Sequence, residues 1–254
     1  NYWDNNNTQF TASFLNKQPT KKLLLYVNIG NVFRVPSVDE SISNQTYPYL
    51  IFNSNDLLPE QKSMYELGLK IENIPKEPGD RTYSLVVSGF SYSYYDKIKQ
   101  LHLSGTPIKY PINFGQASIA GIEADLSYQP TRKWISLKTC ISNYILSDPL
   151  AFQLQPEQML RSIISIKNKW FNMDLIYRSE SSRQITTIEQ NGVTKQATLK
   201  PISNIDLNIY RVFKIAFVRS TISFSGKNLN SSPQELEGIS IYDRRYALNI
   251  NISL

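Results

Sequence analysis

The sequence has very few of the residues that disulfides, metal sites and membrane helices require. It contains one cysteine, Cys140, and one histidine, His102, in 254 residues. A single thiol excludes an intrachain disulfide, and a single imidazole excludes a histidine-rich metal site. No apolar run reaches the roughly 18 residues that a transmembrane helix needs. We therefore expect neither a cofactor nor a bound metal.

The sequence also lacks the side-chain patterns of hydrolases and nucleic-acid-binding proteins. A hydrolase would need a Ser–His pair, and the neighbours of His102 offer no acid–base partner. Basic residues are in excess, with a net charge of +6, but they are scattered singly or in pairs such as Lys21-Lys22. No dense basic stripe forms. We expect no enzyme and no nucleic-acid partner.

Aromatic residues make up 12% of the chain, whereas there are only ten glycines. Aromatic and β-branched side chains pack well on a pleated surface, so this composition favours strands. Period-two alternation of apolar and polar residues predicts eleven of them. They are Gln9–Leu15, Lys22–Phe33, Lys62–Ile74, Arg81–Leu103, Ile108–Tyr128, Trp134–Ile145, Met159–Lys167, Trp170–Ser179, Asn204–Val212, Ile215–Lys227 and Tyr242–Leu254.

The lengths of the connections distinguish two folds that share this pattern, a soluble sandwich and a membrane barrel. Short connections alternate with longer ones, and the one at Ser104–Pro107 is of intermediate length. Barrels of the outer membrane have short periplasmic turns and longer extracellular loops. Trp134 and Trp170 follow short turns, where a periplasmic aromatic girdle is expected. The pattern predicts an all-β fold, an antiparallel transmembrane β-barrel.

Several motifs occur in a fixed order along these strands. GNVFRVPSVDE, from Gly30, leads into the first long loop, and SNDLLPEQKSMYELGLK, from Ser54, leads out of it. FSYSYYDKIKQL, INFGQASIAGIEADLSYQPTRKWISLKTCISNY and SGKNLNSSPQ follow, and the sequence closes with YDRRYALNINISL. In this order, the motifs resemble those of the C-terminal half of TonB-dependent outer-membrane receptors.

The resemblance implies a barrel of twenty-two strands that encloses an N-terminal plug. Residues 1–254 would be the C-terminal part of this barrel, strands twelve to twenty-two, and the plug would lie outside this chain. The absence of an initial Met or signal peptide leads us to expect a mature piece or a fragment. Eleven strands in lipid would leave two unpaired edges, so we expect the rest of the same gene product, or a second chain, to close the barrel.

The function that the resemblance implies is uptake of a scarce solute, driven by energy that TonB delivers through the plug. The solute would be a siderophore, haem, a vitamin, an oligosaccharide or a peptide. The expected location is the outer membrane of a Gram-negative bacterium. Expected partners are outer-membrane lipid, the remaining barrel and plug, TonB, the barrel-assembly machinery and a surface lipoprotein. Two alternatives stay open: a structural subunit of a larger outer-membrane complex, and a passive porin.

Two sets of residues are candidates for functional contacts. Aromatic and arginine side chains are enriched at binding hot spots. The candidate ligand contacts near the long loops are therefore Tyr47, Tyr49, Phe52, Arg178, Arg183, Tyr242, Arg244 and Arg245. The resemblance also implies that the last strand carries a signal for the barrel-assembly machinery. Its residues on the apolar face are Tyr246, Leu248, Ile250, Ile252 and Leu254.

Overall fold

The computed structural model describes residues 7–40, 57–77, 79–103, 109–131, 134–189, 193–215, 218–236, 239–241 and 243–253. Its strands are β1 (Thr8–Lys17), β2 (Lys21–Arg34), β3 (Glu60–Asn73), β4 (Thr82–Tyr95), β5 (Ile98–Leu103), β6 (Lys109–Asn113), β7 (Ala117–Gln129), β8 (Ile135–Leu146), β9 (Gln158–Lys167), β10 (Asn172–Glu180), β11 (Arg183–Ile188), β12 (Thr194–Leu199), β13 (Ile202–Ile215), β14 (Val218–Lys227), β15 (Gln234–Leu236), β16 (Ile239–Ile241) and β17 (Arg245–Ser253). In the ranges described, no helix has the length and apolar character needed to cross a membrane.

Eleven strands form one antiparallel sheet, in the order β1-β2-β3-β4-β7-β8-β9-β10-β13-β14-β17. Its connections alternate between two ends. At one end lie residues 18–20, 74–81, 130–134, 168–171 and 216–217; at the other lie 35–59, 96–116, 147–157, 181–201 and 228–244. We call these the short-turn end and the long-loop end. The first and last strands both run toward the short-turn end, as an odd number of antiparallel strands requires.

The eleven predicted strands are confirmed, but two of them were predicted too long. Arg81–Leu103 and Ile108–Tyr128 each divide into two strands, because Asp96 and Gly115 have φ angles of 50° and 82°. Positive φ values interrupt the extended backbone that a continuous strand requires. The connection from β4 to β7 is therefore a long loop, longer than predicted, and the predicted connection at Ser104–Pro107 itself lies outside the described residues.

The register assigns each side chain of the large sheet to one of two faces. Directly opposed residues share a face, so Leu67 lies beside Val27 and Gly89. Leu67 and Ile122 on this apolar face are each 61% exposed. A continuous exposed apolar surface marks contact with a membrane or a partner. The opposite, polar face carries most of the charged residues of the sheet.

Two long loops fold together into a second sheet at the long-loop end. The β5–β6 and β11–β12 hairpins join through parallel pairing of Thr187 with His102 and of Ile188 with Leu103. We call this four-stranded unit the loop sheet. It contains some of the most buried apolar side chains of the described chain, with Leu101 2%, Tyr110 1% and Ile185 1% exposed. The sequence analysis assigned no separate strands to the loops that form β11, β12, β15 and β16.

Candidate functional site: an aromatic ladder on the polar face

A row of aromatic rings follows the polar face toward the long-loop end. Phe90, Tyr92 and Tyr94 alternate along β4, which places them on one face. The Phe90 and Tyr92 ring centroids lie 4.5 Å apart in a stacked arrangement. Tyr144 of β8 lies 5.9 Å from Phe90, and Phe152 of the 147–157 loop lies 5.7 Å from Tyr94. We call these five residues the aromatic ladder.

Two lysines lie against the part of the aromatic ladder that is nearest the long-loop end. The Lys62 Nζ atom is 3.7 Å from the ring centroid of Tyr92 and 5.8 Å from that of Tyr94. The Lys97 Nζ atom is 4.2 Å from the Tyr94 centroid and 5.0 Å from the Phe152 centroid. Cation–π contacts are favourable at such distances. The polar face therefore offers ring surfaces and ammonium groups side by side.

Two carboxylates accept hydrogen bonds near the other end of the aromatic ladder, where Phe90 and Tyr144 lie. The Tyr26 hydroxyl donates to Glu66 at 3.0 Å, and the Asn28 amide donates to the same carboxylate at 3.3 Å. The Tyr144 hydroxyl donates to Glu123 at 2.6 Å. Hydrogen bonds to charged groups are stronger than neutral ones. These bonds orient the two tyrosine rings on the polar face.

Gly121 allows the Tyr144 ring to lie close to the backbone of β7. A Cβ atom at Gly121 would lie 2.6 Å from Tyr144 Cδ1 and 2.8 Å from the carbonyl oxygen of Asn143. A glycine inside a strand is typical of positions where another group approaches this closely. The position of the Tyr144 ring in the aromatic ladder therefore depends on the absence of a side chain at Gly121.

Glu60 connects the bases of two long loops beside the aromatic ladder. It is 8% exposed, and its carboxylate accepts a hydrogen bond from the Ile98 backbone N–H at 2.9 Å. The Lys97 Nζ atom lies 3.7 Å away, and the Arg34 Nε atom lies 3.9 Å away. Arg34 also contacts Glu40 at 3.1 Å. Burial lowers the pKa of Lys97, and the Glu60 carboxylate opposes this shift.

A cleft of about 340 Å³ continues the aromatic ladder into the loops, with Lys97, Lys99, Phe152 and Gln153 in its wall. Burial lowers the pKa of Lys99, and the negative charge of Asp148 opposes the shift. Both side-chain amide atoms of Gln153 are buried without a hydrogen-bond partner in the part of the chain that the structure describes. Buried polar groups usually have partners. A polar solute or a small movement of this loop would supply one.

Two of the predicted ligand contacts lie together. Arg178 and Arg183 both contact Glu180: the Arg178 Nε donates at 2.7 Å, and an Arg183 nitrogen lies 3.6 Å from the carboxylate. Arg245 lies at the start of β17, three strands away in the sheet, and contacts Asp243 at 2.6 Å, while Arg244 is exposed. The remaining candidates, Tyr47, Tyr49, Phe52 and Tyr242, lie outside the described residues. Ligand contact by any member of the set stays a prediction.

The last strand presents its predicted apolar row as expected from alternation. Tyr246, Leu248, Ile250 and Ile252 are all exposed, and β17 pairs with β14 through Tyr246↔Gly226. Leu254 lies outside the described residues. The apolar row is available to lipid or to an assembly factor, and its role as an assembly signal stays a prediction.

The sequence analysis did not select the aromatic ladder as a site, although part of the signal was present. The alternating rings in FSYSYY indicate three aromatic side chains on one face of β4. The positions of Lys62, Tyr144 and Phe152 depend on strand register and loop geometry. Local sequence patterns do not report either.

A family model described as TonB dependent receptor-like, beta-barrel, matches residues 1–229. Curated proteins give no match. Among solved structures, a variant of the ferric enterobactin receptor PfeA from Pseudomonas aeruginosa is 12% identical, with a TM-score of 0.60, over 97% of this chain and 39% of that chain.

Two further solved structures show the same fold. The pyoverdine outer membrane receptor FpvA from Pseudomonas aeruginosa PAO1 is 14% identical, with a TM-score of 0.61, over 95% of this chain and 34% of that chain. The siderophore receptor PirA from Acinetobacter baumannii is 15% identical, with a TM-score of 0.60, over 95% of this chain and 40% of that chain. The chain thus spans about two fifths of the length of these structures.

Proposed function

Because the chain belongs to the TonB-dependent receptor β-barrel family, we propose that it forms the C-terminal half of the barrel of an outer-membrane receptor. The complete receptor takes up a scarce solute, and TonB supplies the energy through a plug. The chain acts in the outer membrane of a Gram-negative bacterium. Members of the family are transport receptors and not enzymes.

The observation that carries this proposal is the two-faced sheet with unequal ends. Its apolar face is exposed at Leu67 and Ile122, as lipid contact requires, while its polar face carries the aromatic ladder. All of the long loops lie at one end of the sheet. This is the arrangement of an outer-membrane barrel with extracellular loops.

The aromatic ladder and its cleft are the proposed contact surface for the solute. The half-buried rings of Phe90, Tyr92, Tyr94 and Phe152 favour a solute with planar or ring-shaped parts, because aromatic surfaces stack on such groups. Lys62, Lys97 and Lys99 favour a solute that also carries negative charge or oxygen acceptors. Ferric siderophores are the class to test first, because the similar structures are by name a ferric enterobactin receptor, a pyoverdine receptor and a siderophore receptor. Haem and cobalamin are the next classes.

The test is an uptake assay in a strain that lacks the complete gene. We expect deletion to abolish uptake of one radiolabelled solute from a panel of ferric siderophores, haem and cobalamin, and the wild-type gene to restore it. A protonophore should stop the restored uptake, because TonB coupling needs the proton gradient. Unchanged uptake of the whole panel after deletion would contradict the receptor function and favour a structural subunit. Restored uptake that resists the protonophore would favour a passive porin.

A matched pair of variants tests the contact surface separately. Tyr92→Ala removes a ring from the aromatic ladder, and we expect it to weaken solute binding by about thirtyfold, the effect of a hot-spot residue. Tyr65→Ala removes a ring from the apolar face one strand away, where Tyr65 is opposite Ser91. This control should bind solute like the wild type. Equal affinities for both variants would place the contact surface elsewhere.

A further inference from the structure

The hairpin of β9 and β10 ends short of the next hairpin and leaves a corner at the short-turn end. β10 pairs with β13 as far as Asn172↔Tyr210, whereas β13 continues beside β14 to Ile215↔Val218. The β9–β10 turn therefore lies level with the middle of this longer hairpin. Its geometry is fixed by the Asn168 side chain, which accepts hydrogen bonds from the Trp170 and Phe171 backbone N–H groups at 2.7 and 2.9 Å.

Two cations and two aromatic rings meet in this corner. Arg211 lies on the apolar face, opposite Ile222. Its guanidinium carbon is 4.8 Å from the Phe213 ring centroid and 5.9 Å from that of Trp170. The Lys169 Nζ atom is 5.0 Å from the same Trp170 centroid. We call Lys169, Trp170, Arg211 and Phe213 the corner cluster.

The two cations of the corner cluster have no carboxylate within ion-pair distance among the described residues. By contrast, three arginines at the long-loop end, Arg34, Arg178 and Arg183, each form an ion pair with a glutamate. A charge on the lipid-facing side of a barrel is costly at the bilayer centre but nearly free at the interface. Tryptophan is also enriched at the interface. The corner cluster thus lies where its positive charge meets lipid headgroups.

We propose that the corner cluster binds the phosphate of an anionic phospholipid in the leaflet on the short-turn side of the outer membrane. The planar guanidinium of Arg211 matches phosphate with two parallel hydrogen bonds, and Lys169 adds a second positive charge. The Trp170 ring lies at headgroup depth, and the neighbouring apolar face around Ile222 receives the acyl chains. This site uses neither the aromatic ladder nor the loop sheet, so it is independent of solute uptake.

The experiment uses the complete receptor, purified in a neutral detergent and examined by native mass spectrometry. Phosphatidylglycerol and phosphatidylcholine are added at equal concentrations. We expect the wild type to retain one phosphatidylglycerol in preference, and Lys169→Gln with Arg211→Gln to weaken this retention by about thirtyfold, given the usual contribution of each of the two basic residues near an anionic surface. Arg211→Lys keeps the charge without the planar group and should give an intermediate value.

Lys214→Gln is the matched control, because Lys214 lies in the same hairpin on the polar face, opposite Arg219. It should retain phosphatidylglycerol like the wild type. An equal loss in this control would show general charge attraction and overturn the proposal, as would equal retention of the two lipids by the wild type. Displacement of the lipid by equimolar inorganic phosphate would also overturn it. Lys169→Gln alone changes only an exposed turn residue, so it keeps the test available if Arg211→Gln does not fold.

Discussion

At the scale of single residues, the polar face shows how one missing side chain positions a functional ring. Tyr144 belongs to the aromatic ladder, and its hydroxyl donates to Glu123 at 2.6 Å. Its ring reaches this position only because Gly121 has no Cβ atom in the way. Gly89, on the neighbouring strand, has room for a side chain, because a Cβ atom there would meet only the Gly121 carbonyl oxygen at 3.9 Å. The two glycines can therefore be compared directly.

We expect Gly121→Ala to lower the free energy of unfolding by roughly 1–3 kcal/mol, the usual cost of overpacking a filled site. The added methyl group would displace the Tyr144 ring and the backbone of β8. Urea unfolding of the complete receptor in lipid vesicles measures the change. Gly89→Ala should alter the same quantity by less than about 0.5 kcal/mol, as for an ordinary surface substitution. A similar loss in both variants would contradict the role assigned to Gly121.

At the scale of elements, local alternation determines what can be predicted from the sequence. β3 and β8 alternate cleanly, and their predicted ranges agree with the structure to within two residues at each end. The breaks at Asp96 and Gly115 could not be predicted, because the residue pattern continues through them and only the φ angles change. β11 pairs with β5, which belongs to a distant loop, so no local pattern reports this contact.

The candidate site shows the same limit. Arg178 and Arg183 were selected because arginine is common at binding hot spots, but residue type does not reveal a neighbour. In the structure both contact the buried carboxylate of Glu180, which supports a bracing role at the base of the 181–201 loop. Conversely, the three alternating rings in FSYSYY are visible in the sequence, while Phe152 joins them only through the fold of a loop.

A substitution in the core of the loop sheet should destabilise the loop sheet and leave the large sheet folded. Leu101→Ala would leave a cavity at a side chain that is 2% exposed. We expect the loop sheet to be destabilised by about 2–5 kcal/mol, the usual range for a buried Leu→Ala change. Hydrogen exchange of the β11 and β12 amides in the complete receptor should accelerate accordingly, while exchange in β3 and β4 stays unchanged.

The control for this change is Leu58→Ala, in a loop at the same end of the molecule, where the residue is 46% exposed. Its effect on exchange in the loop sheet should be small, because little apolar surface is lost. Acceleration in β3 and β4 after Leu101→Ala would show that the loop sheet and the large sheet unfold together. That result would contradict the independence stated here.

At the scale of the whole molecule, the large sheet has two faces and two edges. β1 and β17 each have one pairing partner among the described strands, β2 and β14. Unpaired backbone groups are not tolerated in hydrocarbon, and completion of both edges by further strands stays a prediction. This chain spans about two fifths of the length of the similar solved structures.

The assignment of the two faces predicts that the same substitution costs different amounts of stability at two adjacent residues of β8. Ile141 lies on the apolar face opposite Ala124, and Ser142 lies on the polar face opposite Glu123. We expect Ile141→Arg to lower the free energy of unfolding from bilayers by about 2–4 kcal/mol, the cost of a cation near the midplane of the lipid face. Ser142→Arg should cost much less. Urea titration in vesicles compares them, and a larger cost for Ser142→Arg would mean that the faces are reversed.

The parallel pairing of β11 with β5 fixes an order of events during biogenesis. Each hairpin of the large sheet joins neighbouring stretches of chain, whereas Thr187 and His102 come from loops that β7, β8, β9 and β10 separate. Contacts between distant segments form more slowly than local ones, because a longer loop must close first. The loop sheet is therefore completed only after those four strands are in register. A barrel arrested before that stage would expose the apolar side chains of Leu101, Tyr110 and Ile185 at its long-loop end, which the completed loop sheet buries.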